Sequence, residues 1–496
     1  MRCLLEMKIR RAVLLNVLLL LPLGGVAVFA GFGGLAGCAH RAGERGGCGK
    51  DTDCREGRIC FRGRCRFTLP GEKCCPCPDG AVSTPSHKKL KLARPKSKHP
   101  WPMLGRDYHR SGRTSLPGPS NKPKTAWKVK AKGPISGGVV VDVKGRVYFG
   151  SHDGHLYALN SNGGLLWKYK TGDKIWGTPA VNERGDLVVV GSDDDHLYGI
   201  ETKNGKLRFK VKLGNCSVKE SKGTERLKPT KNEDKDSDIR DGQKKAPNAA
   251  PDSVRCDIDS SPVFDKAGKI VVGGEGLHIL SDRGEVLASY NMGRHVRSSP
   301  AFRDDGTYIF GSRDDRVYAV NKTGKVKWSF AARSDVDSTP VLASDGTVYF
   351  GSDDGRLYAL DPEGEYKWAV LTSEPVRAVP AVGGDGTVYF GSHNGRVYAI
   401  DPVSGKARWA FPTTGRIESS PVVDKKQNIY FGSQDGYFYC LNREGNMLWR
   451  FKAGSDVDST AAIAPGGRLY FGSDGGVLFA LKSSGAGESG GEAGVR

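Results

Sequence analysis

Cysteine, histidine and long apolar runs are scarce through most of this 496-residue sequence. Of twelve cysteines only Cys216, Cys256 and Cys440 lie beyond residue 80, and none of these adjoins another. The ten histidines are scattered, with no metal-type cluster and no Ser/His/Asp grouping to suggest nucleophilic catalysis. Apolar residues are 38% and charged ones 26%, and a single apolar run is long enough to cross a bilayer, which excludes a polytopic membrane protein. That apolar fraction also excludes a wholly disordered chain. An acidic balance is absent too, since the net charge is +20, but the excess is local. Residues 1–37 carry +3, residues 38–133 carry +16 and residues 134–496 only +1. The basic tract reads as a solvated linker. Glycine is the abundant residue, 68 in all and about twice the usual level, which suits short strands joined by tight turns.

The apolar run spans Ala12–Ala36, with Asn16 its one strongly polar side chain, and follows the basic stretch Lys8-Ile9-Arg10-Arg11. This order reads as a secretory signal over residues 1–37. It ends in Leu35-Ala36-Gly37-Cys38, which resembles the bacterial lipobox. That resemblance implies cleavage before Cys38 and acylation of its thiol, giving a membrane contact through a lipid anchor. No Asp follows Cys38, which favours the outer membrane. The competing reading is an uncleaved spanning helix, which Gly24, Gly25, Gly31, Gly33 and Gly34 weaken.

An exported chain makes sense of the cysteines. Cys48, Cys54, Cys60 and Cys65 fall within a short Gly-rich segment with little to build a core, so residues 38–80 read as a small disulfide module. Zinc is the competitor, but this run has no C-x2-C pair. Cys74, Cys75 and Cys77 leave their pairing open. Residues 81–123 are a basic, Pro-rich tether and lead-in, expected to stay extended. Export argues against nucleic acid as the partner of its lysines.

From residue 134 the sequence repeats. Val379–Asp401 and Ser420–Asn442 repeat Thr339–Asp361 almost residue for residue. The repeat glycine falls at Gly150, Gly191, Gly273, Gly311, Gly351, Gly391, Gly432 and Gly472. Without the charged insertion 217–255, the eight repeats average about 39 residues. Each reads as four short strands with Asp-Gly turns, so the expected fold is an all-β, eight-bladed propeller with four-stranded antiparallel blades over residues 124–484. The eighth repeat lacks its fourth strand, and Lys124–Val129, with Trp127 preceding Trp167 by 40 residues, should complete it and close the ring. Phe209 and Ala288 stand where other repeats carry the fourth-strand Trp. Residues 485–496 form a Gly-rich tail expected to be disordered. A Cys216–Cys256 disulfide is expected across the base of the insertion, stabilising by up to about 4 kcal/mol in the chain-entropy treatment.

The pattern Leu-Tyr-Ala-Leu-Asp, then Gly and Trp, resembles the quinoprotein-like eight-bladed propeller repeat, and Trp101–Asp107 with Gly112-Arg113 resembles the segment leading into such propellers. The resemblance covers about residues 101–484 and is specific for fold rather than function. A lipobox with an uninterrupted propeller is similar to the lipoprotein subunit of the outer-membrane barrel-assembly machinery, a scaffold and not an enzyme. A quinone-dependent dehydrogenase is the rival. It would need pyrroloquinoline quinone and calcium held by Glu and Asn, and no such residue set can be assigned here. A surface or periplasmic propeller binding a glycan or other ligand is the remaining alternative, which the Cys-rich module favours. The expectation is therefore a monomeric, non-enzymatic propeller without cofactor or metal, binding protein partners in the cell envelope.

Aligning the repeats on Ser/Thr-Pro places one side chain per blade at the channel mouth: Ser136, Trp176, Asp259 and Arg297, then Asp337, Arg377, Glu418 and Asp458. From Asp259 onward they mostly alternate in sign. They read either as a self-neutralising ring or as a recognition rim. In the second reading the acidic turns at Asp193–Asp195, Asp314-Asp315 and Asp353-Asp354 extend the rim. His152, His155, His196 and His393 are expected as surface residues at turns.

Overall fold

The computed structural model describes residues 97–214, 257–291 and 294–484, plus the backbone of a hairpin at 58–61 and 64–67. Cys38, Cys48, Cys54, Cys216, Cys256, the insertion and the C-terminal tail lie outside the described residues. The chain divides into two compact units, residues 1–88 and 89–496. In the first, Arg58–Phe61 pairs antiparallel with Arg64–Phe67, and Cys60 stands opposite Cys65. Among the described residues no helix is long and apolar enough to cross a membrane.

The second unit is eight four-stranded antiparallel sheets, numbered here as blades 1–8 in the order of their repeat glycines. Blade 5 is representative, with strands Val341–Leu342, Val348–Ser352, Arg356–Leu360 and Tyr366–Leu371. Its second and third strands are buried, while the fourth forms the outer edge. The innermost strand pairs over only two residues, shorter than the five the repeat suggests. Pro340 cannot donate to a ladder, and the neighbouring hydroxyls turn sideways instead. The Ser299 amide donates to the Thr339 hydroxyl (3.1 Å), the Ser261 amide to Ser299 (2.8 Å) and the Thr178 amide to Ser261 (2.8 Å). The Ser/Thr-Pro motif thus stitches one blade to the next around the channel.

On the outside, a second device locks adjacent blades. The Trp328 ring lies over Gly364 in the next blade's last turn, and its indole N–H donates to the Pro362 carbonyl (3.1 Å). Trp167, Trp368 and Trp409 pack in the same way on Gly205, Gly405 and Gly445. The two departures from the pattern keep the contact: Phe209 covers Gly284, and Tyr290, two residues beyond Ala288, covers Gly324. Lys124–Lys130 pairs antiparallel with Val477–Lys482 and completes blade 8. Because blade 8 takes this last strand from the other end of the chain, it has no third turn. The Trp449 indole donates instead to the Pro119 carbonyl (2.7 Å).

The lead-in differs from the extended tether expected of residues 81–123, because from Ser97 onward it packs on the propeller. Trp101 pairs with Val141 of blade 1. The amides of Val181, Phe302, Leu342, Val382 and Val423, at the far ends of first strands, donate to the carbonyls of Pro102, Tyr108, His109, Ser111 and Gly112. This segment spans one end of the central channel. Its anchor is Arg110, fully buried, whose guanidinium donates to the carbonyls of Leu104 (2.7 Å), Pro300 (3.0 Å) and Ser261 (3.2 Å). The opposite end, where first strands begin, is the open mouth.

Two stability outcomes follow. Gly364 has φ +85°, and a Cβ there would approach Trp328 to 2.5 Å, so Gly364→Ala should cost roughly 2–4 kcal/mol and lower the thermal midpoint. Arg110→Met leaves three buried carbonyls without their donor and should cost roughly 3 kcal/mol or more in denaturant unfolding.

Candidate functional site

Each first strand begins at the mouth, and the turn between second and third strands rises beside it. Of the eight residues aligned on Ser/Thr-Pro, six meet a residue outside that set, whereas Arg297 pairs with two members of it. Arg313 donates both to Asp337 Oδ1 (3.0 Å) and to Oδ2 (3.1 Å). Arg377 makes the mirrored pair with Asp353 (2.9 and 2.6 Å). His393 Nε2 bonds Glu418, and Gln434 donates to Asp458 (3.2 Å). Ser136 donates to Asp474 (2.8 Å). Trp176 donates to Asp193 (2.9 Å) and packs on the His152 ring at 3.8 Å. Arg297 lies between Asp259 (3.6 Å) and Asp337 (3.5 Å).

The partners come from the residue after the repeat Gly-Ser. Arg313–Asp337, Asp353–Arg377 and Gln434–Asp458 are each 24 residues apart. That constant spacing of complementary types was the signal available for Arg313 and Gln434, whereas His393 stands 25 residues before Glu418 and Asp474 meets Ser136 across the ring closure. The acidic turns behave differently from the rim they suggested. Asp194, Asp314 and Asp354 accept the hydroxyls of Tyr198, Tyr318 and Tyr358 inside their own blades. Asp195 and Asp315 adopt φ +67°, the left-handed backbone that Gly154 and Gly355 occupy elsewhere. Those five residues hold turns, whereas Asp193 and Asp353 face the mouth.

Charge around the mouth is uneven. Across blades 4 to 6 carboxylates and guanidinium groups match. Burial acts to raise the Asp337 carboxyl, but the Arg313 hydrogen bonds and the charges of Arg313, Arg297 and Arg377 outweigh it and hold it below the usual range. The Asp353 hydrogen bond holds Arg377 more basic than usual. Other mouth carboxylates crowd one another. Burial, then the charges of Asp474 and Glu418, push Asp458 up to about 7. Burial, then Asp259 and Asp257, push Asp193 up to about 7. Burial and Asp337 raise Asp335 to about 6. His152, by contrast, is held down at about 4 by burial and then Lys174.

Asp193, Asp257 and Asp259 each offer an oxygen within 4.8 Å of the others, an all-oxygen set of the type hard cations take. The mouth does not fit the tricarboxylate quinone. Arg297, Arg313 and Arg377 are already engaged by Asp259, Asp337 and Asp353, and the remaining mouth groups are mainly carboxylates that would repel it.

The eight blades, the hydroxyl stitching and the Trp-on-Gly locks define a quinoprotein-like propeller. The chain belongs to the family described as outer membrane protein assembly factor BamB, whose model matches residues 121–225 and 274–486. Among solved structures, BamB from Moraxella catarrhalis matches with a TM-score of 0.56 at 17% identity, covering 73% of this chain and 100% of that one. A europium-containing methanol dehydrogenase matches with a TM-score of 0.62 at 13% identity, covering 79% and 99%. These likenesses are of fold. A curated relative, the beta-alanine-activating enzyme of Mus musculus, is 33% identical over 72 residues, which is 14% of this chain and only 6% of that protein.

The raised Asp458 carboxyl makes a pH test. A carboxyl held above its ordinary 3.8 favours the folded state at low pH, and that contribution is lost as pH rises through about 7. Asp458→Asn removes the dependence. The thermal midpoint of the variant relative to the parent should therefore climb between about pH 4 and 7 and then level off. The shift sets an upper bound of roughly 4 kcal/mol.

Proposed function

We propose that this protein is a non-enzymatic scaffold of the bacterial cell envelope, held at the outer membrane by a lipid on Cys38 and docking partner proteins through its open channel mouth. The observation that carries the reading is the surplus of carboxylates there. Asp193, Asp335 and Asp458 are crowded enough to hold protons near neutral pH, so lysine or arginine side chains of a partner would relieve repulsion as they bind. Membership in the assembly-factor family supports the same reading, as does the lead-in segment that occupies the other end of the channel. The matched Arg–Asp pairs would set the register of the partner rather than its affinity.

The test uses exposed or half-exposed mouth carboxylates whose reversal spares the buried Asp337 pair. Reversal of Asp456, the exposed carboxylate two residues before Asp458 whose charge acts on it, as Asp456→Lys together with Glu418→Lys, should reduce chemical-crosslinking capture of envelope partners by about fivefold or more while the thermal midpoint stays near that of the parent. Undiminished capture would reject the mouth as the docking face. Dye-linked dehydrogenase activity after reconstitution with quinone and calcium would overturn the non-enzymatic reading. Mass spectrometry of the mature N-terminus tests the anchor, and an unmodified Cys38 would remove it.

A further inference from the structure

The eight fourth strands form an internal comparison, because each presents equivalent positions to solvent at the rim of the ring. One and three residues after the blade-locking aromatic position, blades 8 and 1 carry Lys128, Lys130, Lys168 and Lys170, all exposed. Blades 2 and 7 carry Lys210, Lys212, Arg450 and Lys452, also exposed. In blades 3 and 4 the same positions are Ser289, Asn291, Ser329 and Ala331. In blades 5 and 6 they are Ala369, Leu371, Ala410 and Pro412. The cations thus occupy every such position on four neighbouring blades and none on the other four.

The fold does not demand them, since half the ring is built without them. Protection of outer edges against sheet association asks for a charge on each edge, not for a concentration on one side. Three of those other four blades carry a cation one residue before the aromatic position, but carboxylates of the same blade neutralise it. Lys327 meets Asp305 (2.9 Å), Lys367 meets Asp345 (4.0 Å) and Arg408 meets Asp385 (3.2 Å). On the cationic flank Lys210 and Lys212 reach Asp194 (3.4 Å) and Asp195 (3.7 Å). Among the described residues Lys128, Lys168, Lys170 and Lys452 have no acidic partner. An open groove of about 530 Å³ lies within this flank, between blades 7 and 8, lined by Trp127, Phe451, Val477 and Phe479 with Lys128 and Lys452.

We propose that the flank of blades 7, 8, 1 and 2 is a second docking surface, taking an extended acidic polypeptide segment of a partner protein, with an apolar side chain of that segment seated in the groove. Charge complementarity supplies the acidic character. Curvature selects the polypeptide, because four of eight blades cover about half the circumference and a flat bilayer would touch only part of that arc. Single-stranded nucleic acid wants exposed aromatic platforms and arginine forks, whereas Trp127, Tyr169 and Phe451 are half-buried and seven of the eight cations are lysines. This surface is separate from the mouth, so either proposal can fail alone.

The test uses the full chain and a fluorescent Glu-rich peptide of about 20 residues with one central Phe. Lys128→Ser, Lys168→Ser, Lys170→Ala and Lys452→Ala together install residue types that blades 3 to 6 already carry at these positions. Anisotropy should show binding weakened about tenfold in this variant, with an unchanged thermal midpoint and a strong salt dependence in the parent. A control, Lys327→Ser with Arg408→Ser, should bind within about twofold of the parent. Equal loss in the control, undiminished binding in the flank variant, or tighter binding of phosphatidylglycerol vesicles or oligothymidylate than of the peptide would each overturn the proposal.

Discussion

Every blade of this protein is held by its neighbours rather than by a core of its own. Two contacts recur at the junctions: a hydroxyl of the Ser/Thr-Pro motif caps an amide of the preceding blade near the channel, and an aromatic ring covers a turn glycine at the outside. Both act only between adjacent blades, so an open ring would leave one junction without either and expose two sheet edges. Pairing of Lys124–Lys130 with Val477–Lys482 removes that loss, and it makes stability depend on contact between the two ends of the propeller sequence. The Trp449–Pro119 hydrogen bond repairs the one place where this splice omits a turn.

The lead-in segment follows from the same geometry. First strands run only two or three residues in their ladders and leave amides unpaired at their far ends, and buried amides need acceptors. Carbonyls from Pro102 to Gly112 provide them across several blades, with Arg110 fixing the crossing by binding three carbonyls. One end of the channel is thereby committed to structure. The other end is free to vary, and there the polar residues are arranged in pairs whose members come from two different turns.

Charge separates along the molecule in a way that net charge conceals. Residues 134–496 sum to only +1, yet the mouth gathers carboxylates and the flank of blades 7, 8, 1 and 2, to which Lys128 and Lys130 add from before that stretch, gathers lysines. Opposite charges kept apart on one rigid ring raise the number of distinct partners it can hold, because each surface selects by sign and rejects the other's ligand.

By itself, the sequence determined the eight blades, their four strands and the closing strand. Those depend on local chemistry repeated at a period of about 40: turn glycines, alternating apolar residues and Ser/Thr-Pro. It also showed that Phe209 and Ala288 broke the pattern. Only the tertiary structure decided that Tyr290 takes over from Ala288, that the lead-in spans the channel, and that Asp194 and Asp354 serve tyrosines while Asp193 and Asp353 face the mouth. Adjacent aspartates in one turn look alike in sequence, and the direction each side chain takes is set by the curvature of the turn and by what the neighbouring blade places beside it.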